Sequence, residues 1–374
     1  MPQLDSLRAL AFLGVAASHW LSKNSPLVVL GGTGVQLFFV LSGFLITGIL
    51  LDYRRIKEGN ASLSAGSALR TFYTRRFLRI FPLYYGVIIV AAILNVGPIR
   101  TLWPWHAAYV PNFLYGIYRP SPGDPFTHFW SLGVEEQFYF VWPFLVFFAP
   151  VKSLKWWIVA LIVSAPVFRV GMEYAFPEFH RVNYFSLSCG DSLGVGACLA
   201  FASRMGVFLK WEPSGLARVM GVLGLTGGIL SGVLMLIAGD VFWLLTMGHT
   251  FLIFLYGWIV FGAARGFGGL IGGVLMLPGL RFLGKISYGL YVFHHFFTYV
   301  SFRGFLEKLG LPLRVAEDAL AQSLARLAVT IILAVTSWYL YESPLNNLKR
   351  YFTLRKKLAE ARGREELPNA PARS

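Results

Sequence analysis

Apolar runs close to bilayer length recur along this chain, and they decide what it can fold into. A helix needs about 20 apolar residues to cross a hydrocarbon core of about 30 Å. Hydropathy predicts about ten such spans, at 7–21, 35–51, 80–97, 137–150, 156–172, 185–203, 218–238, 241–264, 286–302 and 319–341. The Gly-rich piece 268–280 is too short for a span and reads as re-entrant or interfacial. The 374 residues are 56% hydrophobic and 14% charged, with mean hydropathy +0.60. That composition excludes a soluble domain and predicts an all-α polytopic membrane protein.

A formal charge of +15 invites a nucleic-acid reading, but the basic residues sit mostly in loops between apolar runs. The positive-inside rule explains them better, and no nucleic-acid partner is expected. With the N-terminus inside, twenty-three Lys and Arg fall on inner loops and the tail, against eight on outer loops and outer span ends. Both termini are therefore expected to be cytoplasmic, with a membrane domain over 1–341 and a basic tail over 342–374. Asp5 and Arg8 spoil a signal-peptide reading of the N-terminus, which is expected to stay as the first span. Cys189 and Cys198 lie nine positions apart in one apolar run, on opposite helix faces, so they are expected to pack rather than pair.

Four stretches carry chemistry. In LDSLRALAFLGVAASHWL, eleven helical residues turn about 1100°, so Arg8 and His19 share a face roughly 16 Å apart. Ionisable groups at membrane depth are functional suspects; the plainer reading is a packing arginine and an interfacial histidine. In Arg75-Arg76-Phe77-Leu78-Arg79, at the inner edge of the third predicted span, Arg76 and Arg79 share a helical face. With Arg8 the cluster could clamp a polyphosphate, or simply attract anionic lipid headgroups. In FTHFWSLGVEEQFYFVWPF, one of Glu135 and Glu136 could orient His19 as a base. Otherwise the pair marks a hydrated helix N-terminus, and His128 reads as a solvated loop residue. In KISYGLYVFHH, Tyr288, Tyr291 and His294 either pack or line a channel. Ser42-Gly43 suits close helix packing, and Ser42 has no base near it in sequence. No HExxH, paired CxxC or P-loop occurs, so no metal is expected.

Taken in order, LDSLRALA with the Arg8-x10-His19 spacing, GVQLFFVLSGFLIT, Arg76-x-x-Arg79, FWSLGVEEQFYFVWP, LGKISYGLYVFHH and Tyr341-Glu342-Ser343-Pro344 resemble the acyltransferase 3 family of integral-membrane acyltransferases, up to about Asn347. The resemblance implies O-acyl transfer, usually acetyl, from cytoplasmic acyl-CoA to a hydroxyl on the outer side. The implied acceptors are surface polysaccharides, lipid-linked sugars or related glycans, and the implied location is a bacterial inner membrane. It implies His19 as base or acyl relay, and Arg8, Arg76 and Arg79, with Arg75 beside them, on the acyl-CoA phosphates. Glu135, and with it Glu136, would support the site; the channel-lining reading of Tyr288, Tyr291 and His294 would turn them towards substrate. Gln36 stands where the family often has Asp, and Phe293 replaces a frequent Trp. Some relatives add a periplasmic hydrolase-like domain; here presentation of the acceptor is expected to fall to membrane loops or a partner. The rival expectations are an O-acyltransferase for a small metabolite and a flippase for a lipid-linked sugar.

Overall fold

A computed structural model describes residues 1–21, 30–59, 63–118, 123–176, 181–208, 211–238, 248–310, 312 and 317–353. The start of the predicted 241–264 span, the basic tail beyond Thr353, and Lys23, Arg119, Lys210 and Arg314 of the charge count lie outside the described residues. The described residues are helical, with one isolated bridge between Phe208 and Trp211.

The long helices are α1 (Pro2–Trp20), α2 (Leu30–Glu58) and α3 (Ala65–Ile93). Two short helices, α4 (Ile99–Ala107) and α5 (Pro111–Ile117), lead into α6 (Phe129–Phe148) and α7 (Val151–Ala175). Then come α8 (Gly190–Met205), α9 (Pro213–Ala238), α10 (His249–Arg265), α11 (Gly269–Leu275), α12 (Pro278–Lys285) and α13 (Ser287–His294). The chain continues through α14 (Arg303–Lys308), α15 (Ala319–Ser337), a π-helical turn at Trp338–Glu342 and α16 (Ser343–Asn347).

Five helices among the described residues are long and apolar enough to cross a membrane, or six if α10 and α11, bent by 81°, form one span. The shortfall against ten has visible causes. α1 carries Asp5, Arg8 and His19, and α6 carries Glu135 and Glu136; α8 has 16 residues and α13 only 8. The predicted span 286–302 is broken, because α13 gives way to a 3-10 turn at His295–Phe297. The helix that carries the third predicted span starts earlier than its apolar run. Ser64 caps α3 by accepting from the Ser67 N–H, and nothing interrupts the helix before Arg75. The arginine cluster therefore lies inside a 29-residue helix that extends beyond the apolar run.

α2 runs through the main core and packs on α1, α6, α8 and α10. It meets α8 backbone to backbone. A Cβ on Gly43 would stand 2.0 Å from the Leu193 carbonyl oxygen, and one on Gly196 would stand 2.1 Å from that of Val40. Small residues permit this approach. Cys189 and Cys198 are buried, free thiols. Arg169, one of the eight basic residues assigned to outer loops and outer span ends, is buried. It forms a 2.6 Å ion pair with Asp191 and donates to Ser188 O and Thr250 Oγ1, tying α7 to α8 and α10.

Candidate active site

α1 is pinned at both ends. Near its start the Gln3 side chain exchanges two hydrogen bonds with the Phe267 backbone, and Ser6 Oγ donates to Leu275 O at 2.6 Å. Gly284 of α12 lets that helix lie against α1, since a Cβ there would stand 1.7 Å from Asp5 O. At the other end the Trp20 carbonyl accepts from Ser323 Oγ of α15 at 3.0 Å. These anchors hold Arg8 and His19, on one helix, in two adjoining environments.

Arg8 lines a cavity of ≈ 100 Å³ with Arg76 and Arg79 of α3, Glu135, Glu136 and Tyr139 of α6, and Ser42 of α2. Tyr288 and Tyr291 of α13 close its far side. Arg8 pairs with Asp5 at 2.6 Å. Among the described residues Arg76 and Arg79 form no ion pair. The Arg76 guanidinium lies over the Tyr139 and Phe72 rings, 5.2 and 5.9 Å from their centroids. Ser42 Oγ donates to Glu135 Oε1 at 2.5 Å and accepts from Tyr139 Oη at 2.9 Å.

Beyond Tyr291 lies a cluster of four histidines. His19 Nδ1 stands 3.0 Å from His294 Nε2. The His295 ring is edge-on to His19, with centroids 4.8 Å apart, and His128 packs against both His294 and His295. Tyr291 joins the two environments. Its hydroxyl lies 2.5 Å from Ser131 Oγ and donates to the His128 carbonyl, while its ring is 5.3 Å from that of His294.

Several expectations change on this geometry. Glu135 and Glu136, separated by about 100° on a helix, both face the cavity. They sit two turns inside α6, not at a hydrated N-terminus, and the hydrogen-bond partner of His19 is His294 rather than a carboxylate. His128 is buried, with Nε2 3.2 Å from Val292 O, not solvated. Arg75 turns away from the cavity and donates to the carbonyls of Lys349 and Phe352. Tyr288 and Tyr291 line the cavity; His294 does not, and meets His19 instead. Ser42, Tyr139, His128 and His295 were not singled out as site residues. The one signal for Ser42 was a hydroxyl inside an apolar run.

Charged groups lining a cavity between apolar helices, with lipid-type residues such as Ile229, Leu236 and Ile237 turned outward, define a multi-pass integral membrane protein around a polar chamber. The chain belongs to the acyltransferase 3 family: the profile described as an acyltransferase domain matches residues 1–342. It is 29% identical to the peptidoglycan O-acetyltransferase OatA of Listeria monocytogenes, over 94% of this chain and 57% of that protein. It is 26% identical to the O-acetyltransferase OatA of Staphylococcus aureus, over 79% of this chain and 50% of that protein. The chain thus spans about half the length of these relatives. No solved structure matches it.

Proposed function

We propose that this protein is an O-acetyltransferase of the bacterial inner membrane, moving an acetyl group from cytoplasmic acyl-CoA to a hydroxyl of a cell-envelope glycan. Peptidoglycan, the acceptor in the name of the Listeria relative, is the first acceptor to test. The observation that carries the reading is the pair Arg76 and Arg79, in one cavity with no ion pair among the described residues. A guanidinium out of bulk water favours an anion that accepts from its fork of N–H groups, and the phosphates of acyl-CoA supply one. Ten spans with both termini cytoplasmic would put this cluster towards the donor and His19 towards the acceptor.

In the reaction the acceptor oxygen attacks the thioester carbonyl. A C–O bond forms, the C–S bond breaks, and the hydroxyl proton passes by way of His19 to the leaving thiolate, giving an ester and a free thiol. Glu135, held by Ser42, lies on the donor side of this path. The test is transfer of labelled acetyl from acetyl-CoA to a glycan acceptor by purified protein in vesicles. His19→Gln keeps hydrogen bonding but cannot take the proton, so transfer should vanish while acetyl-CoA still binds. Near-wild-type turnover by His19→Gln would sink the catalytic assignment, and failure of the wild type to bind acetyl-CoA would favour a flippase.

A further inference from the structure

We propose that His294 is a positioning residue which fixes the tautomer of His19, so that His19 Nε2 carries the lone pair that meets the acceptor hydroxyl. The inference rests on the base role proposed for His19. It follows from a chain of hydrogen bonds whose direction is set at one end by a group that can only accept. The Tyr291 carbonyl lies 2.6 Å from His294 Nδ1, so that nitrogen carries the proton. A neutral imidazole has a single N–H, which leaves His294 Nε2 as an acceptor. The atom 3.0 Å away is His19 Nδ1, which must therefore be the donor. His19 Nε2 is left bare.

The ring geometry agrees. The two imidazoles lie within 19° of parallel with centroids 5.1 Å apart. With 3.0 Å between the nitrogens, the rings meet through these two atoms rather than face on face. Burial favours neutral rings: His294 is fully buried, and His128 and His295 beside it are buried too. The neighbours are pinned in the same way, His295 through Nδ1 facing Pro125 O and His128 through Nε2 facing Val292 O, both at 3.2 Å.

This arrangement performs the service that a buried carboxylate gives the histidine of a serine-protease triad. It holds one tautomer and orientation, and it receives Nδ1–H when Nε2 becomes protonated. A neutral imidazole does so without placing a second charge among apolar helices.

The experiment reads the tautomer and the rate separately. In protein labelled with 15N-histidine, the His19 resonances are assigned by their loss in His19→Gln. Wild-type His19 should be protonated at Nδ1. In His294→Leu it should shift towards Nε2–H, and turnover at saturating acetyl-CoA should fall about 10³-fold with donor affinity unchanged. His294→Gln, whose amide oxygen can still accept, should recover the Nδ1–H form and at least about tenfold of the lost rate. Wild-type His19 protonated at Nε2, or Gln and Leu variants equally slow with His19 unchanged, would overturn the proposal. If the Leu variant does not fold, the wild-type tautomer and the Gln variant still decide it. Activity surviving in His19→Gln would remove the base role while leaving the tautomer result standing, so the two failures are distinguishable.

Discussion

Arg76 and Arg79 share a cavity with Glu135 and Glu136 yet form no ion pair among the described residues, so each has hydrogen-bonding capacity for a ligand. Replacing either with Ala should weaken acetyl-CoA binding by about 1.5–3 kcal/mol, the range for a charge-assisted hydrogen bond. Lys should restore only part of it, because a point charge lacks the bidentate fork. Equilibrium binding of a labelled donor measures this, and normal binding by both alanine variants would return the arginines to a lipid-anchoring role. Arg75→Ala should leave donor binding nearly unchanged, since its guanidinium serves the Lys349 and Phe352 carbonyls. Arg8 and His19 were legible from sequence because a charge or imidazole in an apolar helix has few reasons to be there. Ser42 was not: the carboxylate it meets comes from 93 positions away. The partner of His19 was not legible either, because it arrives across 275 positions. That both adjacent carboxylates line one cavity was not legible either. A cavity bounded by several helices can receive side chains about 100° apart.

Among the helices, the α2–α8 crossing is the least forgiving. Gly43→Leu or Gly196→Val must push backbone apart, so each should cost about 1–3 kcal/mol or more. The measurement is thermal unfolding in detergent, and an unchanged midpoint would mean the two helices do not approach this closely. The α4–α5 region offers a pH test. His106 is fully buried beside Tyr115, which donates to Asp124, and burial holds its imidazole down from 6.5 to about 4. As pH falls below 6.5 the unfolded chain takes a proton that the folded one refuses. Stability is then lost by up to about 1.4 kcal/mol per unit until the folded value is reached. His106→Asn should therefore lose less stability than wild type between pH 7.5 and 5.5. At this scale apolar runs disclosed most helices but not their ends. α3 reaches back to Ser64 through TFYTRRFLR, a stretch that hydropathy discards although its arginines and leucine are good helix formers. The break after His294 has no Gly or Pro to announce it, because α13 is followed directly by the 3-10 turn His295–Phe297.

For the molecule as a whole, the excess of Lys and Arg in alternate loops predicts that a reporter fused after Lys57 reads cytoplasmic and one after Gly123 external. An external reading at Lys57 would invert the protein and take the arginine cavity away from cytoplasmic acyl-CoA. Composition made the membrane class plain. The polar chamber was less plain, because it is assembled from α1, α2, α3, α6 and α13, and none of these contains it alone. The Arg169–Asp191 pair has a bearing on how such a chamber comes to be built. Synthesis proceeds from the N-terminus, so α7 emerges with Arg169 while Asp191 is still 22 residues from being made. A guanidinium in lipid without its partner is costly. The pairing predicts that α7 gains a settled place only when α8 follows it. Asp191→Ala should show this as a fall in the yield of inserted protein, with the molecules that do insert still turning over.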